Sequence, residues 1–303
     1  MAREIVGWLL KGAAMGAANV IPGVSGGTIA FITGIYERLI NSLKSLDLHA
    51  FSLLISGKIR QLFAYIDFYF LSALVIGIAL SILSLARILE WAFVNHEIFT
   101  LSFFFGLILA SVYGVGKEIR HLFSPRVIIT FLVGCGIAVS IAFLNPATAN
   151  DGYFYVFLCG IVAVCSMILP GLSGSYILLL MGNYVLVLRA ISSLDFGILL
   201  PLAVGCVVGL VVFSRLLSFL FSHYKNMTVS LLTGFVAGSL LIIWPWKTTE
   251  YVELTGGKIK AVGYNWFLPE IDSGFFVAFL LALIGFILVY GMEYFSKKNP
   301  SSK

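Results

Sequence analysis

Residues 21–28, IPGVSGGT, return with small changes at residues 169–176, LPGLSGSY. Pro22 and Pro170 set the offset at 148, close to half of the 303-residue chain, and Gly34 and Tyr36 match Gly182 and Tyr184 at the same offset. Each copy interrupts a strongly apolar stretch with residues that break helices. The chain is 60% hydrophobic and 11% charged, with a mean hydropathy of +1.04. A soluble protein of this size cannot bury that much apolar surface, so lipid is the solvent. Backbone freed from a helix at membrane depth must be buried in protein or line a wet cavity. Two broken segments in matching places of two halves point to a transporter's binding site.

Composition excludes several classes. The net charge of +5 comes without a basic run interleaved with aromatics, so nucleic acid is not an expected partner. Cys135, Cys159, Cys165 and Cys206 all lie in apolar segments, without CxxC spacing or a flanking histidine. They read as small core residues, neither metal ligands nor a disulfide. His49, His96, His121 and His223 fall in linkers or at segment ends, and no HExxH, GxSxG or P-loop is present. No catalytic residue, cofactor or metal is therefore expected. An integral-membrane lipid phosphatase would need buried histidine near arginine and serine. Arg3 ahead of an apolar run and the small residues 13–18 resemble a signal peptide. Cleavage would destroy one half of the repeat, so the segment is expected to be retained.

Six apolar segments are long enough to span a bilayer: residues 68–93, 99–116, 127–144, 198–221, 228–244 and 275–294. The motif regions differ. Residues 5–20 and 28–40, and again 153–168 and 176–188, are each short against a core of about 30 Å. Each pair predicts a re-entrant helical hairpin, 5–40 and 153–188, with its tip inside the bilayer; a single broken crossing helix competes. Charge decides between them, because Lys and Arg concentrate in short cytoplasmic loops. With re-entrant hairpins and an inside N-terminus, the cytoplasm holds Arg3, Lys44, Lys58, Arg60, Lys117, Arg120, Arg126, Lys225, Lys297 and Lys298. The outside holds residues 95–97, 145–151, Asp195 and a mixed-charge loop at 247–272. Single crossings would put the basic linker 44–60 outside.

The repeat extends past the motif. Gly77 and Arg87 match Gly205 and Arg215 at an offset of 128, as Phe105-Gly106 matches Thr233-Gly234. The predicted fold is an all-α polytopic membrane protein of two inverted repeats, 1–145 and 146–303, each a re-entrant hairpin plus three transmembrane helices. Three helices is an odd number, so the halves have opposite orientation. The first linker, with Phe51, Leu54, Ile55, Ile59, Leu62 and Phe63 among polar residues, predicts an amphipathic helix on the cytoplasmic surface.

Pro22-Gly23 and Pro170-Gly171 end the incoming helices. The helices that follow start with unpaired N–H groups and partial positive charge. Ser25, Gly26, Gly27 and Thr28 from one tip and Ser173, Gly174 and Ser175 from the other are therefore the candidate anion site. Tight packing turns on small residues would use the same residues. Arg87 and Arg215 sit inside apolar segments at matching positions. A buried Arg faces a partner or water, and its planar fork suits a phosphate; snorkelling to the interface is the other reading. Glu37 is the only acidic residue in either hairpin, and it is expected either to pair with neighbouring Arg38 or to carry a coupling proton. Arg189 stands near the exit of the second hairpin, Glu90 is spaced to pair with Arg87, and Lys11 reads as a snorkelling surface lysine.

The run AANVIPGVSGGT at residues 17–28, with Gly34-Ile35-Tyr36 and LPGLSGS at 169–175, resembles the bacterial polyprenyl-phosphate transporter family (PopT). The resemblance covers nearly the whole chain. It implies a translocase in the bacterial inner membrane that returns undecaprenyl phosphate from the outer to the cytoplasmic leaflet. Its partners would be the polyprenyl phosphate lipid and the bilayer, and alternating access the mechanism. The alternative is a secondary transporter or channel for a small soluble anion using the same tips.

Overall fold

The computed structural model describes residues 2–20, 25–117, 119, 123–144, 146–254 and 258–298. In chain order, α1 (Ala2–Val20), α2 (Gly26–Ile32) and α3 (Tyr36–Lys44) precede two short linker helices, α4 (Leu48–Ile55) and α5 (Ile59–Tyr65). A long α6 (Phe68–Gly116) and α7 (Pro125–Ala142) follow. Then come α8 (Tyr153–Ile168), α9 (Gly174–Leu180), α10 (Tyr184–Ser193) and a second long helix, α11 (Phe196–Ile243). A β-hairpin, β1 (Lys247–Leu254) and β2 (Lys258–Trp266), precedes α12 (Ser273–Lys298).

Each hairpin was expected to leave its tip as one helix, and in each the outgoing arm is two. Gly34 and Gly182 take φ of 70° and 76°, which only glycine adopts without strain. Both close the preceding helix with the same pair of bonds. Gly34 N–H donates to Phe31 O at 3.2 Å and Ile35 N–H to Ala30 O at 3.0 Å; Gly182 N–H donates to Leu179 O at 2.8 Å and Asn183 N–H to Leu178 O at 3.0 Å. α9 and α10 thereby bend by 111°. Hydropathy runs unbroken through both glycines, so periodicity alone does not reveal the bend.

α6 and α11 hold 49 and 48 residues, more than twice the length a bilayer core requires at about 1.5 Å per residue. Their backbone leaves the helix at His96 (φ −144°, ψ 51°) and Tyr224 (φ −134°, ψ 41°), again 128 apart. Thr100 Oγ1 donates to Ala92 O, eight residues earlier, at 3.1 Å. Eight residues of straight helix would separate them by about 12 Å, so the chain doubles back there. Among the described residues, Trp91–Gly116, Pro125–Ala142, Phe196–Ile243 and Ser273–Gly291 are long and apolar enough to cross a membrane. Two bent pairs, Ile59–Tyr65 with Phe68–Ser84 and Gly174–Leu180 with Tyr184–Ser193, raise the four to as many as six. The chain is thus a largely helical, multi-pass membrane protein.

Glycines set where helices cross. Gly12 of α1 lies on the Leu74 backbone of α6, and Gly77 of α6 on the Leu9 backbone of α1. Gly160 of α8 lies on Leu202 of α11, and Gly205 of α11 on Phe157 of α8, the same crossing moved by the two offsets. α7 and α12 are exchanged between the two sequence halves. Gly134 of α7 meets Leu231 of α11 and Gly234 of α11 meets Phe131 of α7, whereas Gly285 of α12 meets Phe103 of α6 and Gly106 of α6 meets Ala282 of α12. Backbones meeting without side chains between them are the packing that lipid-embedded helices use. The buried core of Phe70, Leu74, Leu101, Ile108, Leu232 and Ile243 lies between these pairs. Leu83, Leu132, Val207, Val212 and Phe276 face outward, exposed.

Two expected elements differ. The amphipathic linker is a pair of helices, α4 and α5, closed on Ala50, Leu53 and Leu62, with Leu48, Phe51 and Ile55 turned outward. Asp47 caps α4 by accepting from His49 N–H at 2.9 Å and Ala50 N–H at 3.0 Å. The Ala50 N–H, the Tyr65 hydroxyl, the His49 N–H and the Arg215 charge hold the Asp47 carboxyl below its usual range. A depressed carboxylate contributes stability above its unfolded value of about 3.9, lost as pH falls through the lower folded value. Asp47→Ala should cost about 1 kcal/mol. Hydrogen exchange at the Ala50 amide checks it; unchanged protection would refute the cap.

The 247–272 loop instead carries the β-hairpin, paired from Lys247–Trp266 to Leu254–Lys258 with a register shift at Glu250/Tyr251. Trp266 Nε1–H donates to Leu241 O at 2.8 Å and Trp244 Nε1–H to Phe267 O at 3.2 Å, docking the hairpin on the end of α11.

Candidate functional site

The two repeated tips meet. Gly171 N–H donates to Thr28 Oγ1 at 2.8 Å, and Tyr36 hydroxyl donates to Ile168 O at 3.2 Å. A methyl group on Gly27 would stand 2.7 Å from Ile168 O, so only glycine lets α2 come this close to the end of α8. A methyl on Gly171 would stand 2.6 Å from Phe235 O. Phe235 lies near the middle of the second limb of α11, after the break at Tyr224. The tips therefore stand at mid-height against the membrane-long helices.

The tips are not equivalent. Ser25 and Thr28 are buried, at 3% and 1% exposed, and buried hydroxyls need partners. Ser25 Oγ accepts from Gly27 N–H at 3.1 Å, and Asn19 Oδ1 accepts from Gly26 N–H at 2.7 Å. The first N–H groups of α2 are thus satisfied within the protein. At the other tip, no side-chain cap bond is made to α9 among the described residues. The Ser173 and Ser175 hydroxyls lie 3.1 Å apart; Ser173 and Gly174 are half-buried and Ser175 is exposed. Among the described residues, the second tip is the one that presents polar groups. Ile21, Pro22, Gly23 and Val24 of the first motif lie outside the described residues.

The charged candidates are spread. Arg87 belongs to α6, but its side chain and that of Glu90 lie outside the described residues, so their expected pairing does too. Arg215 is exposed on α11, and its charge acts on Asp47 and Tyr65 of the linker. Glu37 and Arg38 do not pair with each other. Adjacent helical residues point apart, and each has another partner. Glu37 Oε2 accepts from Lys225 Nζ at 2.7 Å. Arg38 is bidentate to Asp67, at 2.6 and 3.0 Å, with its guanidinium 4.4 Å from the Trp8 and Phe70 ring centres.

Several residues that matter escaped the sequence reading. Lys11, expected at the surface, donates from Nζ to Thr33 O at 3.0 Å, covering the end of α2. In the second hairpin the Tyr155 hydroxyl donates to Met181 O at 2.9 Å, covering the matching carbonyl with a different side chain. Asn183 is fully buried. It accepts from Asn150 N–H at 2.9 Å and donates to Asn150 O at 2.7 Å, stapling the segment before α8 to the α9–α10 bend. Replacing it by Leu strands both Asn150 groups and should cost about 1–3 kcal/mol. A drop in thermal midpoint, larger than for Asn150→Ala, checks this. The signal for Asn183 was its place after a matched glycine; for Lys11 and Tyr155 there was none, since they do not align.

The model of the family described as undecaprenyl phosphate translocase-like matches residues 15–259. The "Polyprenyl-phosphate transporter" of Vibrio cholerae serotype O1 (strain ATCC 39315 / El Tor Inaba N16961) is 40% identical over 297 residues, 95% of this chain and 96% of the relative. The protein of the same name from Staphylococcus aureus (strain NCTC 8325 / PS 47) is 32% identical over 261 residues, 80% of this chain and 88% of the relative. No solved structure matches the chain significantly. A match spanning both tips and the helices that hold them establishes that this chain belongs to the undecaprenyl phosphate translocase-like family.

Proposed function

We propose that the protein is a translocase for polyprenyl phosphate that carries the lipid's head group across the bilayer by alternating access, without covalent chemistry. The observation that carries this reading is the contact of two repeat-related tips at mid-height, Gly171 N–H to Thr28 Oγ1 at 2.8 Å. Contacts that recur at constant offsets support two inverted halves, 1–145 and 146–303, and re-entrant hairpins. Such a carrier exposes one site to each side in turn.

The phosphate is held at Ser173, Gly174 and Ser175, with Ser25, Gly26, Gly27 and Thr28 forming the opposing wall. Arg215 collects the anion at the linker-side mouth and Arg87 at the far mouth. The exposed apolar outer faces leave the polyprenyl tail in lipid. The basic linker puts both termini in the cytoplasm, and the family resemblance implies transport from the outer to the cytoplasmic leaflet of the bacterial inner membrane. Glu37, paired with Lys225, is assigned to that ion pair rather than to carrying a coupling proton.

Reconstituted liposomes test it. Undecaprenyl phosphate should leave the outer leaflet without release of free phosphate. A charge-assisted bond is worth about 1.5–3 kcal/mol, so Arg87→Ala or Arg215→Ala should each weaken lipid binding by roughly 10- to 150-fold. Uptake of a soluble anion without lipid movement would instead establish an anion carrier, and free phosphate would establish a phosphatase.

A further inference from the structure

α3 is sealed to α11 along one polar seam. The Tyr36 ring lies 5.9 Å from the Phe221 ring, centre to centre. Ser218 Oγ donates to Asn41 Oδ1 at 2.9 Å and accepts from Lys44 Nζ at 3.2 Å. Glu37 pairs with Lys225 at 2.7 Å. This seam lies beside the α4–α5 linker, just after Arg215, and it joins the first hairpin to the elbow of α11.

The repeat relation carries the seam to a second place. Residues of the first hairpin move by 148, so Tyr36 becomes Tyr184 and Asn41 becomes Arg189 on α10. Residues of α11 move back by 128, so Phe221 becomes Phe93 and Ser218 becomes Glu90 on α6. The ring positions stay aromatic, Tyr184 and Phe93. The hydrogen-bonded pair Asn41–Ser218 becomes Arg189 and Glu90, a base and an acid at the same level. The ion pair goes the other way: Glu37 and Lys225 become Val185 and Glu97, which cannot form one. The offsets therefore predict, for the second place, one aromatic pair and one acid–base pair, the latter at a different position from Glu37–Lys225.

We propose that the carrier has two gates: α3 against α11 on the linker side, closed here through Tyr36–Phe221, Asn41–Ser218 and Glu37–Lys225, and, at the positions the offsets select, α10 against α6 on the far side. The proposal rests on the alternating-access reading above. Opening the first gate frees the first hairpin from the α11 elbow, and opening the second frees the second hairpin from the α6 elbow. The Glu37–Lys225 ion pair is the latch of the first gate, and the absence of its counterpart at Val185 and Glu97 makes the gates separable by mutation.

Crosslinking tests the gates by access, independently of lipid movement. The four native cysteines are replaced by serine, Ser175→Cys is added at the tip, and a membrane-impermeant maleimide is applied from either face of proteoliposomes. Asn41→Cys with Ser218→Cys, joined by a short bifunctional methanethiosulfonate whose arm is released by reductant, should slow labelling from the linker face. Arg189→Cys with Glu90→Cys, joined likewise, should slow it from the opposite face. Each effect should exceed about tenfold, because the lock removes the open fraction on which access depends. Glu37→Lys should raise linker-face labelling, and adding Lys225→Glu should restore it. Labelling from both faces that is unchanged by either lock, in protein shown by mass to be crosslinked, overturns the gates. If the locks act but undecaprenyl phosphate does not move in the unlocked protein, the gates stand and the substrate assignment fails.

Discussion

Gly106→Leu is expected to prevent stable folding, and Gly234→Leu to do the same at the repeat-related crossing. A side chain at 106 would enter the space of the Ala282 backbone carbonyl of α12, and at 234 that of the Phe131 carbonyl of α7. Neither obstacle is the end of a flexible side chain that can swing away. α12 cannot retreat without also losing the reciprocal contact of Gly285 with Phe103. Overpacking of this kind costs about 1–3 kcal/mol and more where backbone must move. Leaving glycine returns no more than about 1 kcal/mol of helix propensity, so the balance is unfavourable. Gly136 of α7 provides the control, since a methyl there meets nothing within 4 Å; Gly136→Ala should be neutral or slightly stabilising. Thermal midpoints in detergent measure all three. A Gly106→Leu protein that melts with the parent would show that α12 does not pack on α6 in this way.

Thr28→Val should separate the two tips. Valine keeps the shape of threonine but removes the acceptor of the Gly171 N–H bond, 2.8 Å long and buried. A buried donor left without a partner costs about 1–3 kcal/mol, and at this place the cost falls on the contact between the hairpins. Thr28→Ser retains the oxygen and should behave as the parent. Ser175→Ala, at an exposed hydroxyl, should leave stability unchanged and weaken lipid binding. Comparing thermal midpoint with undecaprenyl phosphate binding across the three variants separates the roles. Equal stability of Thr28→Val and parent would mean that the tip contact does not hold the hairpins together.

Much of the architecture was legible because it rests on interactions between residues near in sequence. The six long apolar segments reappear as the limbs of α6 and α11 and as α7 and α12, since hydropathy over about 20 residues is what a bilayer selects. The breaks at His96 and Tyr224 fall between the expected spans. The matched Gly34 and Gly182 were visible, yet their φ of 70° and 76° was not, because a glycine in an apolar run reads equally as packing or as a bend. The linker was legible as amphipathic but not as two helices, a break set by the turn at Gly57 with φ of 67°. The β-hairpin was missed because its polar, mixed-charge composition reads as a loop.

The candidate site was legible as a set of residues, not as an arrangement. The repeated motif alone determined that two broken, polar tips exist in an apolar chain, because Pro, Gly and Ser act on their own backbone wherever they stand. Only tertiary structure decided that Thr28 is used up by Gly171 while Ser175 stays exposed. Tertiary structure likewise gave Glu37 to Lys225 rather than to Arg38, and exchanged α7 and α12 between the halves. Those outcomes depend on which surfaces meet across more than 100 residues of chain. A hydrogen bond or an ion pair acts only within a few ångströms, so nothing in the local sequence records its partner.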